Sequence, residues 1–170
     1  GEWENDVQCG SGIFAYTDGG IYTGTFANNK RHGRGKQTEL DGTVYEGDWH
    51  ENTRHGRGRL CYSNGKVYSG DFVHNKREGY GVQTQPSGVV YSGTWSNDKQ
   101  NGSGKLVYSS GNTYVGEFVD HNMHGVGTYT SVNGTVYVGS YEYNKMSGQG
   151  QTTYATGATY TGTYVNGIRE

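Results

Sequence analysis

One spacing constrains this chain more than any other feature: tyrosine recurs every 23 residues, with no insertion or deletion between the copies. The tyrosines in this column are Tyr22, Tyr45, Tyr68, Tyr91, Tyr114, Tyr137 and Tyr160. A fixed period of about 20–50 residues is the signature of a repeat array, in which each unit is stabilised by stacking on its neighbours. We therefore expect one small structural unit to be repeated along the chain.

Glycine follows the same period. With the tyrosine as position one, glycine occupies positions three, twelve, fourteen and twenty-one, and these columns hold 29 of the 31 glycines. Position five is always a large aromatic residue. A glycine that recurs in every repeat is a structural requirement, so the Gly-x-Gly of residues 56–58 is only a weak phosphate-binding signal.

The whole pattern resembles the MORN repeat family: Y-x-G-x-[FWY], then G-x-G, then a single G, at a period of 23 residues. The resemblance covers residues 1–21 as the end of one repeat, 22–159 as six full repeats, and 160–170 as the start of another. It implies an all-β fold: one array over 1–170, built as an elongated single-layer antiparallel sheet of consecutive β-hairpins.

The strand register follows from the turn signals. Segments 43–49 and 57–62 alternate in polarity, and the three-residue stretch after the second ends in glycine, which fits a type I turn with a glycine bulge. That turn pairs position sixteen with one, fourteen with three and twelve with five. We expect the same pairs inside each repeat. Trp49 should then lie over bare backbone at both Gly33 and Gly56, and Gly56→Val should clash with its ring.

The rings at positions one and five should form one aromatic face, which serves as the core of a single-layer sheet and as a surface for a partner. These residues are Tyr22, Phe26, Tyr45, Trp49, Tyr68, Phe72, Tyr91, Trp95, Tyr114, Phe118, Tyr137, Tyr141, Tyr160 and Tyr164. A second rhythm of 46 residues places tyrosine in alternate copies of position eighteen. It records either a duplication alone or a partly apolar face that receives a partner.

Composition narrows the class of protein. Hydrophobic types make up only 31% of the chain, too few for a large aliphatic core, whereas 14% aromatic residues and a net charge of −2 do not fit plain disorder. No apolar run is long enough to span a bilayer, no signal-peptide pattern opens the chain, and the charge balance does not indicate nucleic acid. Cys9 and Cys61 lack metal-ligand spacing, which favours free thiols in a reducing compartment. Since Gly1 is not methionine, we expect further sequence upstream.

The polar candidates do not favour catalysis. Ser63, Cys61 and His55 could supply a nucleophile and a base, but a ribbon encloses no pocket, so we predict no enzyme, no catalytic residue and no cofactor. His32 and His55 should lie two strands apart, about 9.6 Å, too far to share one zinc ion. His121 and His124 share a loop. They are weak candidates for half a metal site, and solvated loop histidines are the alternative.

Basic residues are concentrated in one part of the chain: ten of the 14 Lys and Arg lie between Lys30 and Arg77. The predicted register places Arg34 and Arg57 beside Asp48, and Lys36 and Arg59 beside Glu46, as cross-strand ion pairs. Five others fall on three consecutive hairpin tips, opposed only by two glutamates. These are Lys30, Arg31, Arg54, Lys76 and Arg77. They predict a docking strip for a phosphoinositide headgroup or an acidic protein segment, the alternative being a solvated edge.

The resemblance implies a non-enzymatic scaffold and protein–protein interaction module that organises a cytoskeletal, ciliary or membrane-apposed assembly. We expect protein partners, no nucleic acid, and a cytoplasmic location at the cytoskeleton or the inner face of a membrane. Homo-oligomerisation should occur through the array ends, around Tyr160–Tyr164. Two alternatives remain: a module that binds phosphoinositides or other anionic phospholipids, and the non-catalytic arm of a larger enzyme.

Overall fold

The computed structural model describes all residues from Gly1 to Glu170 and contains only β-strands and turns. It comprises two compact units, unit 1 (1–86) and unit 2 (87–170). The strands of unit 1 are β1 (Glu2–Glu4), β2 (Val7–Ala15), β3 (Ile21–Ala27), β4 (Lys30–Thr38), β5 (Val44–His50), β6 (Thr53–Cys61), β7 (Val67–Val73) and β8 (Lys76–Thr84). Those of unit 2 are β9 (Val90–Ser96), β10 (Lys99–Val107), β11 (Thr113–Val119), β12 (Asn122–Thr130), β13 (Val136–Glu142), β14 (Lys145–Thr153), β15 (Thr159–Val165) and β16 (Ile168–Arg169).

In each unit the strands follow chain order, and each is antiparallel to its neighbours. The predicted fold class, a single-layer sheet of consecutive hairpins, is therefore confirmed. The fold has no helix of the length and hydrophobicity that crossing a bilayer requires.

Two kinds of turn alternate along the chain. The three-residue turn after β4 has Glu39 N–H bonded to Thr43 O at 2.8 Å and Gly42 N–H bonded to Glu39 O at 3.0 Å. Gly42 has a φ of +85°, so the predicted type I turn with a glycine bulge is confirmed. The turn after β5 is tighter than the sequence analysis assumed. Only Glu51 and Asn52 connect the strands, with φ of +45° and +70°, as a type I′ turn requires.

The register prediction is confirmed across the first turn. Across the second turn it is confirmed for position one with sixteen and for position three with fourteen, but it is wrong for position five with twelve. Between β4 and β5, Gly33 pairs with Trp49, as expected. Between β5 and β6, Trp49 pairs with Arg54 instead of Gly56, because a bulge shifts the register before Gly47 meets Gly58. A Cβ on Gly56 would lie 2.9 Å from Asp48 Oδ2 and would not meet Trp49, so the expected Gly56→Val clash with that ring is wrong.

The glycines that make room for a ring are those at positions three and fourteen. A Cβ on Gly58 would lie 2.4 Å from Tyr45 Cε2, and a Cβ on Gly47 would lie 2.5 Å from the Cα of Gly58. The ring of Tyr45 thus lies flat against a pair of bare strands, and its hydroxyl donates to Asp48 O at 2.9 Å. Any side chain at Gly47 or Gly58 would displace this ring.

The rings pack edge to face in a continuous strip along each unit. Tyr45 meets Trp49 and Phe72 with both ring centroids at 5.1 Å. In unit 2, Tyr114 meets Phe118 at 5.2 Å and Tyr141 at 5.0 Å. Burying one such ring contributes about 3 kcal/mol or more at roughly 25 cal/mol per Å². This strip is the core of the fold.

Candidate interaction surface

The aromatic face is the side of the sheet that carries the rings at positions one and five. Of the fourteen rings predicted for this face, Tyr160 is half-buried and the other thirteen are buried, from Tyr22 at 0% to Phe26 at 7% exposed. Trp3, which also occupies position five, is 65% exposed. A partner on this face therefore meets the side chains that cover the rings, not the rings themselves. The sequence predicted the rings, but it did not predict the side chains that cover them.

Arg31 covers the rings at one end of unit 1. Its guanidinium carbon lies 4.3 Å from the centroid of the Trp49 ring, a close cation–π contact. Its Nη1 donates to Gln37 Oε1, and its Nη2 donates to Asn52 O at 2.9 Å. Both terminal nitrogens of Arg31 are thus engaged within the protein.

Arg54 and Arg77 repeat this placement at the same position of the next two repeats. The guanidinium of Arg54 lies 5.7 Å from the ring centroids of both Tyr45 and Phe72. That of Arg77 lies 5.7 Å from Tyr68, and its Nη1 donates to Gln83 Oε1 at 2.8 Å. Three of the five basic residues predicted at hairpin tips therefore lie half-buried over the rings.

The other two predicted tip residues remain at the turn edge. Lys30 forms an ion pair with Glu51, at 3.3 Å between Nζ and Oε2, and both side chains are largely exposed. Lys76 is also exposed, beside the turn of His74 and Asn75. The five residues thus do not form one strip: three belong to the aromatic face and two to the edge.

A cleft of about 230 Å³ opens on the aromatic face between Arg31 and Arg54. Its other lining residues are Gln37, Glu39, Thr43, Tyr45, Trp49, Asn52, Leu60 and Asn75. Two guanidinium groups and one carboxylate, that of Glu39, line this cleft. In unit 2 a cleft of about 450 Å³ over the rings has a more apolar lining, which includes Tyr129, Met146, Tyr154 and Ile168 together with one guanidinium, that of Arg169.

Of the ion pairs expected on the opposite face of unit 1, that of Arg34 with Asp48 is present, whereas Lys36 and Arg59 are opposite Glu46 only in the strand register. Arg34 Nε lies 3.1 Å from Asp48 Oδ1, as predicted. Arg57 instead directs its Nε to Asp71 at 3.5 Å, while its backbone N–H donates to Asp48 Oδ2 at 3.0 Å. The arginine side chains are 80% and 88% exposed, so each pair contributes little to stability.

The histidines of unit 1 form a row that the sequence analysis missed. His50 lies between His32 and His55, with ring centroids 5.0 and 5.7 Å away, and His74 follows His55 at 5.6 Å. His32 and His55 occupy the same repeat position, whereas His50 occupies a different one and lies on the strand between them. Neither here nor elsewhere do three His, Cys, Asp or Glu side chains come together in a metal-binding group.

His121 and His124, the weak metal candidates, have different neighbours. His121 Nδ1 accepts a hydrogen bond from Gln100 N–H at 3.4 Å, whereas the ring of His124 packs 5.8 Å from that of Tyr143. The structure does not direct the two rings toward a common point. Cys9 and Cys61 are both free thiols.

The buried tyrosines have shifted acidity. Burial raises the pKa of Tyr22 to about 12, with the nearby Arg31 opposing the rise, and burial raises the pKa of Tyr114 to about 12 as well. The pKa values of Tyr45 and Tyr141 rise further for the same reason. These hydroxyls are neutral at physiological pH. That of Tyr22 donates to Thr25 O, and that of Tyr114 donates to Glu117 O, each at 3.0 Å.

Comparison with known proteins agrees with the fold. The model of the MORN repeat family matches residues 1–21, 22–43, 45–67, 68–90, 91–113, 114–136 and 137–159. No curated protein sequence matches the chain.

Among solved structures, the TCP domain of SAS-4 (dCPAP) of Drosophila melanogaster, in complex with a proline-rich motif of Ana2 (dSTIL), is similar. It has a TM-score of 0.57 and 12% identity over 91% of this chain and 84% of that one. The TCP10 domain of Danio rerio CPAP, in complex with a STIL peptide, has a TM-score of 0.53 and 13% identity. The likeness covers 88% of this chain and 66% of that one. At this identity the likeness is one of fold.

Proposed function

This chain belongs to the MORN repeat family, and from that premise we propose that it is a non-enzymatic scaffold that holds extended segments of partner proteins on its aromatic face. The partners are those of a cytoskeletal, ciliary or membrane-apposed assembly in the cytoplasm. Membership of the family supports the assignment as a scaffold, and the clefts on the aromatic face support the choice of docking surface.

The proposal rests on the observation that the sheet of each unit is a single layer. In each unit, side chains and not a second sheet cover the ring strip, and they leave a cleft of about 230 Å³ in unit 1 and about 450 Å³ in unit 2. A sheet that is open on this side can receive a peptide without unfolding. Two proteins of similar fold support this reading, since both were solved with a peptide of another protein bound.

Affinity capture from an extract of the native cytoskeleton tests the proposal. We expect Leu60→Glu, which places a charge in the unit 1 cleft, to lose the partners that the parent chain captures. Arg59→Glu changes an exposed residue of the opposite face and should retain them. If both variants capture the same proteins as the parent, the aromatic face is not the docking surface.

Self-association through the array end is part of the proposal. Strand β15 is covered by β16 only at Tyr164 and Val165, so most of its outer edge has no neighbouring strand. An open edge of this kind can pair with the same edge of a second copy. Light scattering across a range of concentrations tests this. Thr161→Pro should keep the chain monomeric, and a parent chain that is monomeric throughout would contradict self-association.

Anionic membrane binding is the second candidate, favoured by the half-exposed Lys30 and the exposed Lys76, which follow two turns of unit 1 with the turn of Glu51 and Asn52 between them. Each basic group near an anionic surface contributes about 1 kcal/mol, screened within about 8 Å at physiological salt. Vesicles that contain phosphoinositide should pellet the parent chain but not a Lys30→Glu, Lys76→Glu variant. Equal pelleting of both would exclude the lysines as the membrane contact.

A further inference from the structure

We propose that the cleft between Arg31 and Arg54 binds an acidic side chain, and that the segment which supplies it is a polyproline II helix with an acidic residue at every third position. The inference rests on the proposed function, in that the partner lies on the aromatic face. It adds the chemistry of the partner, its conformation and its direction across the sheet.

Of the two arginines that line the cleft, Arg54 has more unused hydrogen-bond donors. Arg31 engages both of its terminal nitrogens, whereas the guanidinium of Arg54 makes one hydrogen bond, from Nη2 to Asn75 O at 3.1 Å. A guanidinium has five N–H donors in a fixed plane, and two parallel donors match the two oxygens of a carboxylate. No carboxylate of the protein pairs with Arg54. Its free donors are therefore those that a ligand carboxylate would accept from.

The residues around Arg54 favour the binding of an anion, although one of them, Glu39, weakens the attraction. Arg54 is half-buried over Tyr45 and Phe72, so water screens its charge less than at the turn edge. Arg31 lines the same cleft and adds a second positive charge. Glu39 also lines it, makes no ion pair there, and subtracts one charge. The cleft therefore has a net positive charge. Replacement of Glu39 by a neutral residue should strengthen anion binding.

The spacing of the arginines selects the conformation of the ligand. Arg31, Arg54 and Arg77 are two strands apart from one another, which corresponds to about 9.6 Å per step across the sheet. A polyproline II helix has three residues per turn and rises about 3.1 Å per residue, so its side chains return to the same side every 9.3 Å or so. An extended β-strand returns after about 6.6 or 13 Å and would miss alternate arginines. A polyproline II segment that runs across the strands therefore meets each arginine with every third residue.

Fluorescence anisotropy with synthetic peptides tests this directly. The probe is a labelled peptide of repeated Pro-Pro-Glu triplets. The matched peptides have the same composition with irregularly spaced glutamates, or lysine in place of glutamate. We expect the triplet peptide to bind the parent chain, the irregular peptide to bind about tenfold more weakly, and the lysine peptide not to bind.

Three variants locate the site. Arg54→Gln should weaken binding of the triplet peptide by about tenfold, because it removes a charge-assisted pair. Arg59→Gln removes one positive charge from the opposite face and should leave the affinity within about twofold. Glu39→Gln should strengthen binding several-fold. This gain cannot arise from misfolding, so it keeps the test valid even if Arg54→Gln is poorly folded.

Several results would overturn the inference: no binding of the triplet peptide, equal binding of the irregular peptide, or equal losses in Arg54→Gln and Arg59→Gln. Its failure is distinguishable from failure of the scaffold proposal. If Leu60→Glu still abolishes partner capture while the triplet peptide does not bind, partners use the aromatic face but do not have this chemistry.

Discussion

Units 1 and 2 have the same interior and different surfaces. On the opposite face of unit 1, charged residues face one another across neighbouring strands, as Arg34 faces Asp48 and Lys36 faces Glu46. On the same face of unit 2, Val115 faces Thr128, which in turn faces Val138. Beneath both surfaces the tyrosine lies against the same pair of glycines. The fold therefore depends on the ring strip and its glycines, and the surface residues are free to specialise.

The layer over the rings differs in the same way. At position ten, unit 1 has Gln8, Arg31, Arg54 and Arg77, whereas unit 2 has Gln100, Met123, Met146 and Arg169. Arginine and methionine both provide a long apolar stem that can cover a ring, but only arginine adds charge. Unit 1 thus has three arginines at this position, whereas unit 2 has two methionines and one arginine, whose guanidinium carbon lies 5.1 Å from the centroid of the Tyr160 ring.

The largest expected effect tests whether the two interiors are equivalent. Gly58→Ala would place a Cβ 2.4 Å from Tyr45 Cε2, and Gly127→Ala would place one 2.4 Å from Tyr114 Cε2. We expect each to destabilise its unit by about 3 kcal/mol or more, measured by chemical denaturation with Trp49 or Trp95 fluorescence as the local probe. Gly42→Ala, whose Cβ meets nothing within 4 Å, should cost only about 1 kcal/mol for its positive φ. Unequal losses at Gly58 and Gly127 would mean that the two interiors are not equivalent.

Alkaline pH should destabilise both units by a smaller amount. Burial raises the pKa of Tyr108, Tyr114, Tyr137 and Tyr141 in unit 2 and of Tyr22 and Tyr45 in unit 1. An unfolded tyrosine loses its proton near pH 10, whereas Tyr114 does so at about 12. The stabilisation is thus complete below pH 10 and is lost as pH rises toward 12, by at most about 2.7 kcal/mol for this ring.

Each unit should therefore lose stability as pH rises above 10, as followed by Trp49 fluorescence for unit 1 and Trp95 fluorescence for unit 2. Tyr141→Phe is the matched variant, because the preceding repeat already has a phenylalanine, Phe118, at the position that Tyr141 occupies. It should move the unit 2 transition to higher pH and leave the unit 1 transition unchanged. A unit 2 transition at the same pH in the parent chain and in Tyr141→Phe would contradict this role of the buried hydroxyl.

The three-residue turns should behave alike in both units. Asn64 Oδ1 accepts from Lys66 N–H at 3.0 Å, and Asn133 Oδ1 accepts from Thr135 N–H at 2.9 Å. Asn64→Ala and Asn133→Ala should each cost about 0.5–1.5 kcal/mol, the usual net value of one such hydrogen bond. Denaturant midpoints check this. A loss as large as that of Gly58→Ala would show that the turns, and not the ring strip, dominate stability.

The smallest effect comes from exposed ion pairs, which both units contain; in unit 2, Lys99 Nζ lies 2.9 Å from Asp120 Oδ2. The exposed pairs of Arg34 with Asp48 and Arg57 with Asp71 contribute about 0.2–1 kcal/mol each at most. Added sodium chloride should weaken them and lower the stability of unit 1, while Arg34→Gln should remove part of that salt dependence. If Arg34→Gln leaves the salt dependence of unit 1 unchanged, these pairs are not the cause.

The period predicted most of the fold, because glycine and aromatic columns at fixed spacing allow few other structures. It did not predict the bulge that moves Trp49 from Gly56 to Arg54, because pairing by position assumed one register along both strands. A signal was present: asparagine, aspartate or histidine recurs at position eight, as in Asn52, and favours a type I′ turn. The placement of Arg54 over the rings could not be predicted without that register, so its role in the cleft came only from the structure.

The two-residue turns also bind the neighbouring repeat. The backbone N–H of Asn52 donates to Arg31 O at 3.0 Å, and its side-chain Oδ1 accepts from Arg31 N–H at 2.9 Å. Asn75 does the same to Arg54. Hairpin tips are ordinarily where proteins gain and lose residues, but here an insertion would break the link to the adjacent hairpin as well. Such a chain can lengthen only by adding whole hairpins, which makes its length a count of units and its tips unsuitable for grafting loops.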